Sequence, residues 1–147
     1  MSNVIELSVR NLRVEPITDG VEGWLEVAIP LLRPAIERYE RNVTVRDVIE
    51  DLILGRSLLW IVFSGDEPIA AITTSVVLYP ARETLMIEFM GGEHMALWMD
   101  AVLNALKLVA KESKLAAIEA DGRSGFSRMA AKNGFTETYR HFEMEIE

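Results

Sequence analysis

Residues 84–135 read TLMIEFMGGEHMALWMDAVLNALKLVAKESKLAAIEADGRSGFSRMAAKNGF, and this stretch carries the pattern from which the rest of the chain can be placed. Thr84 to Met90 is dominated by apolar residues and predicts a strand, with Gly91-Gly92 predicting a break after it. From Met95 to Lys114, the residues Asp100, Asn104, Lys107, Lys111 and Lys114 fall on one narrow polar stripe. Nearly everything else there is apolar, which predicts a helix covered by protein on most of its circumference. Leu115 to Ala120 predicts a second strand. A long helix joins it to the first, so the two are expected to run parallel with a right-handed connection. Gly122-Arg123-Ser124-Gly125-Phe126 then opens a short helix closed by Asn133-Gly134-Phe135. A strand running into a helix N-terminus leaves backbone N–H groups unpaired, the usual device for holding a phosphate-bearing group.

Upstream, Leu7, Val9, Leu12 and Val14 are spaced as in a short strand that Pro16 ends. From Val21 the period changes. Val21, Trp24, Leu25, Ala28, Ile29, Leu32 and Ile36 describe one buried helix face, which Pro30 and Pro34 should kink or divide. Thr44 with Asp47 three residues on reads as a helix N-cap, Val45, Val48, Ile49, Leu52 and Ile53 form the stripe behind it, and Gly55 closes the helix. Ser57 to Phe63 and Ile69 to Tyr79 flank Gly65-Asp66 and predict an antiparallel hairpin, which the link Pro80 to Glu83 extends into a three-stranded meander. At the C-terminus, Thr138, Arg140, Phe142, Met144 and Ile146 alternate with Glu137, Tyr139, His141, Glu143 and Glu145, the pattern of a last strand with one wet face. The expected order is strand, two helices, three strands, helix, strand, helix, strand. This is an α/β fold of the α+β type, with a mixed central sheet of six to seven strands and helices on both faces, in a single domain spanning residues 1–147.

The chain has 147 residues, half of them hydrophobic, which suits one core. A formal net charge of −8 repels polyanions and argues against nucleic acid as a primary partner. The absence of cysteine removes disulfides, thiolate metal sites and cysteine nucleophiles together. Two histidines with no helical His-Glu pairing give no metal site. The N-terminus has no basic region followed by an apolar run, and no apolar run approaches the roughly 18 residues of a membrane span. A soluble, cytoplasmic protein is expected.

The element order, the Gly91-Gly92 break and the terminal Ala130-Ala131-Lys132-Asn133-Gly134-Phe135 together resemble the GCN5-related N-acetyltransferase (GNAT) superfamily over nearly the whole chain. A divergent branch found in tailed bacteriophages looks closer still, through Asp47 with Gly55, Leu59-Trp60, Ile87-Glu88 before Gly91-Gly92, Trp98, and Gly122-Arg123-Ser124-Gly125-Phe126-Ser127-Arg128 before Gly134-Phe135. The resemblance implies acyl-CoA, acetyl-CoA above all, as cofactor, with its pyrophosphate on the turn after the fourth strand. Here that turn is Gly91, Gly92, Glu93, His94, Met95 and Ala96, to which Arg123 and Ser124 at the next helix start would add charge and a hydroxyl. The motif departs from the family at several positions. His94 stands in place of a glycine and Gly91 in place of a basic residue. Arg123, Phe126 and Ala130 stand where the family has Asn, Ala and the Tyr that protonates the departing thiolate.

Acyl transfer to an amine needs a base for the ammonium proton, and Glu88 and Glu119, on the two parallel strands, are the candidates. Each is also a plausible ion-pair partner for Arg123, the role the sequence favours. Tyr139 is the nearest hydroxyl that could replace the missing acid. His94 reads equally as a helix-start residue and His141 as a surface one, while Trp24, Trp60 and Trp98 read as core. Two functions are compatible with these residues. One is an acyl-CoA-dependent N-acyltransferase acting on an amine. The other is a non-catalytic protein working by association, either with itself or with phage structural proteins as part of a virion or its genome-delivery apparatus. Such a protein would reside in the host cytoplasm or the virion.

Overall fold

The computed structural model describes residues 11–39, 41–122 and 127–146. In chain order its elements are β1 (Leu12–Ile17), a 3-10 turn (Val21–Trp24), α1 (Leu25–Glu37), α2 (Val45–Ile53), β2 (Leu58–Ser64), β3 (Glu67–Leu78), β4 (Glu83–Gly92), α3 (Met95–Glu112), β5 (Ala117–Ala120) and α4 (Ser127–Lys132). Leu7 and Val9, expected to begin the first strand, lie outside the described residues. The strands form one mixed sheet in the order β1-β2-β3-β4-β5. It is antiparallel except for β4 and β5, which are parallel and joined through α3.

The sheet is sandwiched as the sequence predicts. On one face Trp60, Val62, Ile72, Leu85 and Ile87 pack against Trp98, Met99, Val102, Leu103 and Leu106 of α3. On the other, Leu59, Ile61, Phe63 and Ala71 meet Ala28, Leu32 and Ile36 of α1 and Val48 and Leu52 of α2. Alternate residues of β2 thus feed opposite cores, the consequence of a side-chain period of two in a strand covered on both faces. Thr44 caps α2 in a complete capping box, donating to and accepting from Asp47, and Gly55 follows the helix at φ +73°.

Five expectations are corrected. Pro16 lies inside β1; that strand is at the sheet edge, where a residue without an N–H can sit with no ladder bond to lose. Pro30 and Pro34 do not divide α1, which runs continuously from Leu25 to Glu37. Both prolines are exposed, so the carbonyls of Glu26 and Pro30, deprived of helical donors, fall on the side that water can reach, while Ala28, Leu32 and Ile36 stay buried. Helix α3 is buried along one face only. Leu108 is 58 % exposed, because α3 covers the sheet and nothing described covers most of its outer side.

Gly91-Gly92 does not break the strand but is its last part, paired with Ala71 and Ala70. Glycine is needed here for close approach rather than for a turn. A β-carbon on Gly91 would run into the Leu31 carbonyl, and one on Gly92 would come within 2.6 Å of Ala70 Cβ. Finally, the described residues contain five strands, not six or seven. Residues 136–146 alternate as a strand should, yet they pair with no strand and make no backbone hydrogen bond among the described residues. Alternation decides which side chains share a face; a strand also needs an edge to take its N–H and C=O groups.

Candidate active site

The sheet's register shifts in two ladders, β2–β3 and β3–β4, and the second shift falls in β4. Thr73 pairs with Phe89 and Thr74 with Ile87, which leaves Glu88 as the extra residue of a β-bulge. A bulge bends its strand and re-aims a side chain. Strand β5 pairs with β4 only from Thr84 to Ile87, so from Glu88 to Gly92 β4 has no partner on that side among the described residues. The β4–β5 ladder therefore ends at Ile87, one residue before Glu88.

Glu88 is half-buried, and its carboxylate accepts a 2.7 Å hydrogen bond from the Ser57 hydroxyl just before β2. Glu119 stands opposite Met86 on β5, where it accepts bonds from the Thr84 hydroxyl and, at 3.0 Å, from the Tyr79 phenol. That bond to Glu119 raises the Tyr79 pKa above its ordinary value. Glu119 faces the α1 and α2 side of the sheet, because Ile118 and Ala120, which flank it in β5, belong to the α3 core. Farther along, the Tyr139 hydroxyl donates to Asp121 at 3.2 Å. The Asp121 charge, followed by that hydrogen bond, raises the Tyr139 pKa above its ordinary value.

Past the end of β4, His94 takes the N-cap position of α3 in the left-handed conformation, φ +57°, and makes no side-chain cap. The Trp98 indole donates to the Glu93 carbonyl at 2.8 Å and fixes the turn. The N–H groups of Met95 and Ala96 have no partner among the described residues, and the first turn contains no acidic side chain. This end fits a phosphate through backbone donors and the positive end of the helix dipole. Gly91 cannot lend the face where its side chain would stand, because the Leu31 backbone fills it.

The structure thus brings Glu88, Gly92, Glu93, His94, Met95 and Ala96 onto one edge of β4 and its exit. Glu119 and Tyr139 lie along β5, each with its own partners. Arg123 and Ser124 fall outside the described residues, and Ala130 sits within α4. Sequence reasoning missed Ser57, whose only signal is a polar residue directly preceding an apolar strand. It also missed a cleft of about 670 Å³ lined by Ser57, Trp60, Thr74, Leu85 and Val109 among others. Among the described residues, no helix is long and apolar enough to cross a membrane.

Against solved structures the chain shows one fold. A probable acetyltransferase superposes with a TM-score of 0.71 at 13 % identity, covering 92 % of this chain and 98 % of that one. A predicted acetyltransferase from Clostridium acetobutylicum with acetyl-CoA gives 0.65 at 15 % identity, over 91 % and 96 %. The aminoglycoside N-acetyltransferase AAC(6')-Iy in complex with CoA gives 0.62 at 11 % identity, over 92 % and 94 %. No protein-family model matches the sequence, nor does any curated protein. At these identities the likeness is one of architecture: the chain has the mixed α+β fold of the GNAT acetyltransferases.

Proposed function

We propose that the protein is an acyl-CoA-dependent N-acyltransferase working at the β4–β5 cleft, with Glu88 as its base. The observation that supports this reading best is the coincidence of the bulge at Glu88 with the end of β4–β5 pairing, which puts a carboxylate at the point where the strands part. Gly92, Glu93, His94, Met95 and Ala96 form the phosphate end, with Met95 and Ala96 donating backbone N–H groups, and Gly91 shapes that end from within β4. Arg123 and Ser124 are proposed to add charge and a hydroxyl from the next helix start.

A bound acyl-CoA supplies the electrophilic thioester carbonyl. The chain's own residues do the rest. Glu88, held by Ser57, takes the ammonium proton so that the amine nitrogen can form its bond to the carbonyl carbon. As the C–S bond breaks, the departing sulfur takes a proton, and Tyr139, whose hydroxyl lies beside Asp121 just past β5, is the candidate donor. Glu119 is the alternative base, but two hydroxyl donors already occupy its carboxylate. A primary or secondary amine is the acceptor class.

Calorimetry and native mass spectrometry with acetyl-CoA, CoA and longer acyl-CoAs test the reading, and no binding at millimolar ligand overturns it. If CoA binds, Glu88→Gln should lower kcat by roughly 100-fold or more, the usual contribution of a positioned base. Unchanged turnover in both Glu88→Gln and Glu119→Gln removes both assignments. A second reading is a protein acting by association alone, for which the exposed Phe142, Met144 and Ile146 offer a surface, its phage setting resting on the sequence resemblance. Finding no copies in purified virions and no stable protein partner would reject it.

A further inference from the structure

The sheet ends in a step. Strand β1 stops at Ile17 opposite Leu59, β2 starts at Leu58 opposite Thr74, and β3 runs on to Leu78 with β4 as its only neighbour among the described residues. These strand ends line the cleft of about 670 Å³, a size within the ~300–1,000 Å³ usual for small-molecule sites. Leu52 and Leu59 bring to its wall the core beneath α1 and α2, and Trp60, Leu85 and Val109 bring the core beneath α3. Within this apolar wall Thr74 is 1 % exposed. Its hydroxyl accepts the Trp60 indole N–H at 2.9 Å, and the hydroxyl's own proton finds no acceptor among the described residues. A buried donor left unmatched carries a desolvation cost that an occupant's oxygen would relieve. Around the cleft, Arg56 is matched by Asp51 at 3.4 Å, whereas Asp19 and Glu22 are exposed and form no ion pair among the described residues. That excess of negative charge turns anions away.

We propose that this cleft is a ligand site separate from the acyl-transfer site, taking a small neutral molecule with an apolar body and one oxygen that accepts the Thr74 proton. The apolar walls hold the body, and Thr74 sets its direction by a single hydrogen bond, a division of labour common to such sites. Ser57 also lines the cleft, but its hydroxyl proton is already donated to Glu88 at 2.7 Å, which leaves Thr74 as the buried donor on offer. No residue from Glu88 to Ala96 lines the cleft, so its occupant and an acyl-CoA do not compete for the same groups. The site therefore stands whether or not the protein transfers an acyl group.

Prodan, a neutral naphthalene carrying a ketone, reports both features. Its emission moves to shorter wavelength on leaving water and to longer wavelength when its carbonyl accepts a hydrogen bond. Titrating the full chain into about 1 µM Prodan should give a saturable shift to shorter wavelength, with a Kd of about 100 µM or tighter. Thr74→Val should weaken binding several-fold and move the bound emission further to shorter wavelength, while Thr74→Ser, which keeps the hydroxyl, should retain both properties of the natural chain. Val109→Trp, which fills the cleft, should weaken binding at least tenfold; Ser113→Trp, at an exposed lining position, serves if that variant does not fold. Leu78→Trp, outside the lining, should change nothing. The anionic 1-anilinonaphthalene-8-sulfonate should bind at least tenfold more weakly than Prodan, and saturating acetyl-CoA should leave Prodan bound. No saturable shift, full binding in the filled variants, emission unmoved by Thr74→Val, equal binding of the anion, or displacement by acetyl-CoA would each overturn the proposal.

Discussion

The carbonyl oxygen of Leu31 in α1 occupies the place where a β-carbon on Gly91 of β4 would stand, and Leu32 Cα lies 3.3 Å from the same point. Helix backbone rests directly on strand backbone, with no side chain between them to yield. Gly91→Ala should therefore overpack the junction and cost about 1–3 kcal/mol, read as a lower urea midpoint. An unchanged midpoint would mean that α1 shifts freely.

Replacing either proline of α1 should act in the opposite direction. Pro30 and Pro34 are exposed and each removes one helical hydrogen bond. An interior proline is disfavoured by about 3 kcal/mol relative to alanine, and about 0.4–1 kcal/mol of that is offset through the unfolded chain. Pro30→Ala should raise the thermal midpoint by several degrees; a fall would show that the proline ring makes a contact the helix depends on.

Acid should weaken the start of α2. The backbone N–H of Thr44, and then its hydroxyl, donate to the Asp47 carboxylate and hold its pKa below the ordinary 3.8. A pKa depressed by folding stabilises the protein fully above the unfolded value, and the effect is lost as pH falls through the folded one. The stability difference between the natural chain and Asp47→Asn should then be greatest at neutral pH and shrink below about pH 4. A difference that grows on acidification would contradict the capping role.

Thr73 is fully buried beside the bulge, and its hydroxyl has no partner among the described residues. An unsatisfied buried hydroxyl carries a desolvation cost, so Thr73→Val, nearly equal in shape, should stabilise the protein by about 1 kcal/mol in denaturant titration. A loss of similar size would show that the hydroxyl is engaged in the folded protein.

What could be read in the sequence was what depends on neighbours along the chain. The Thr44–Asp47 box, the turn at Gly65-Asp66 and the switch between periods near three-and-a-half and two each place an element through local chemistry alone. The order of elements and the parallel β4–β5 pair follow from them. What could not be read depends on contacts across the fold. The purpose of Gly91 is set by Leu31, sixty residues earlier. Ser57 gains meaning only once the bulge turns Glu88 toward it. Residues 136–146 carry a strand's alternation, but no local signal says whether an edge will be there to receive it.

Four rungs, Thr84 to Ile87 against Ala117 to Ala120, join β5 to the sheet, whereas β3 and β4 pair from Ala70–Gly92 to Leu78–Glu83. Local opening follows the number of contacts to be broken. Amide hydrogens of Ala117–Ala120 should exchange with solvent well before those of β2 and β3. The same short seam makes β5 the strand whose release costs the sheet the fewest backbone pairings, with Ile118 and Ala120 leaving the α3 core as it goes.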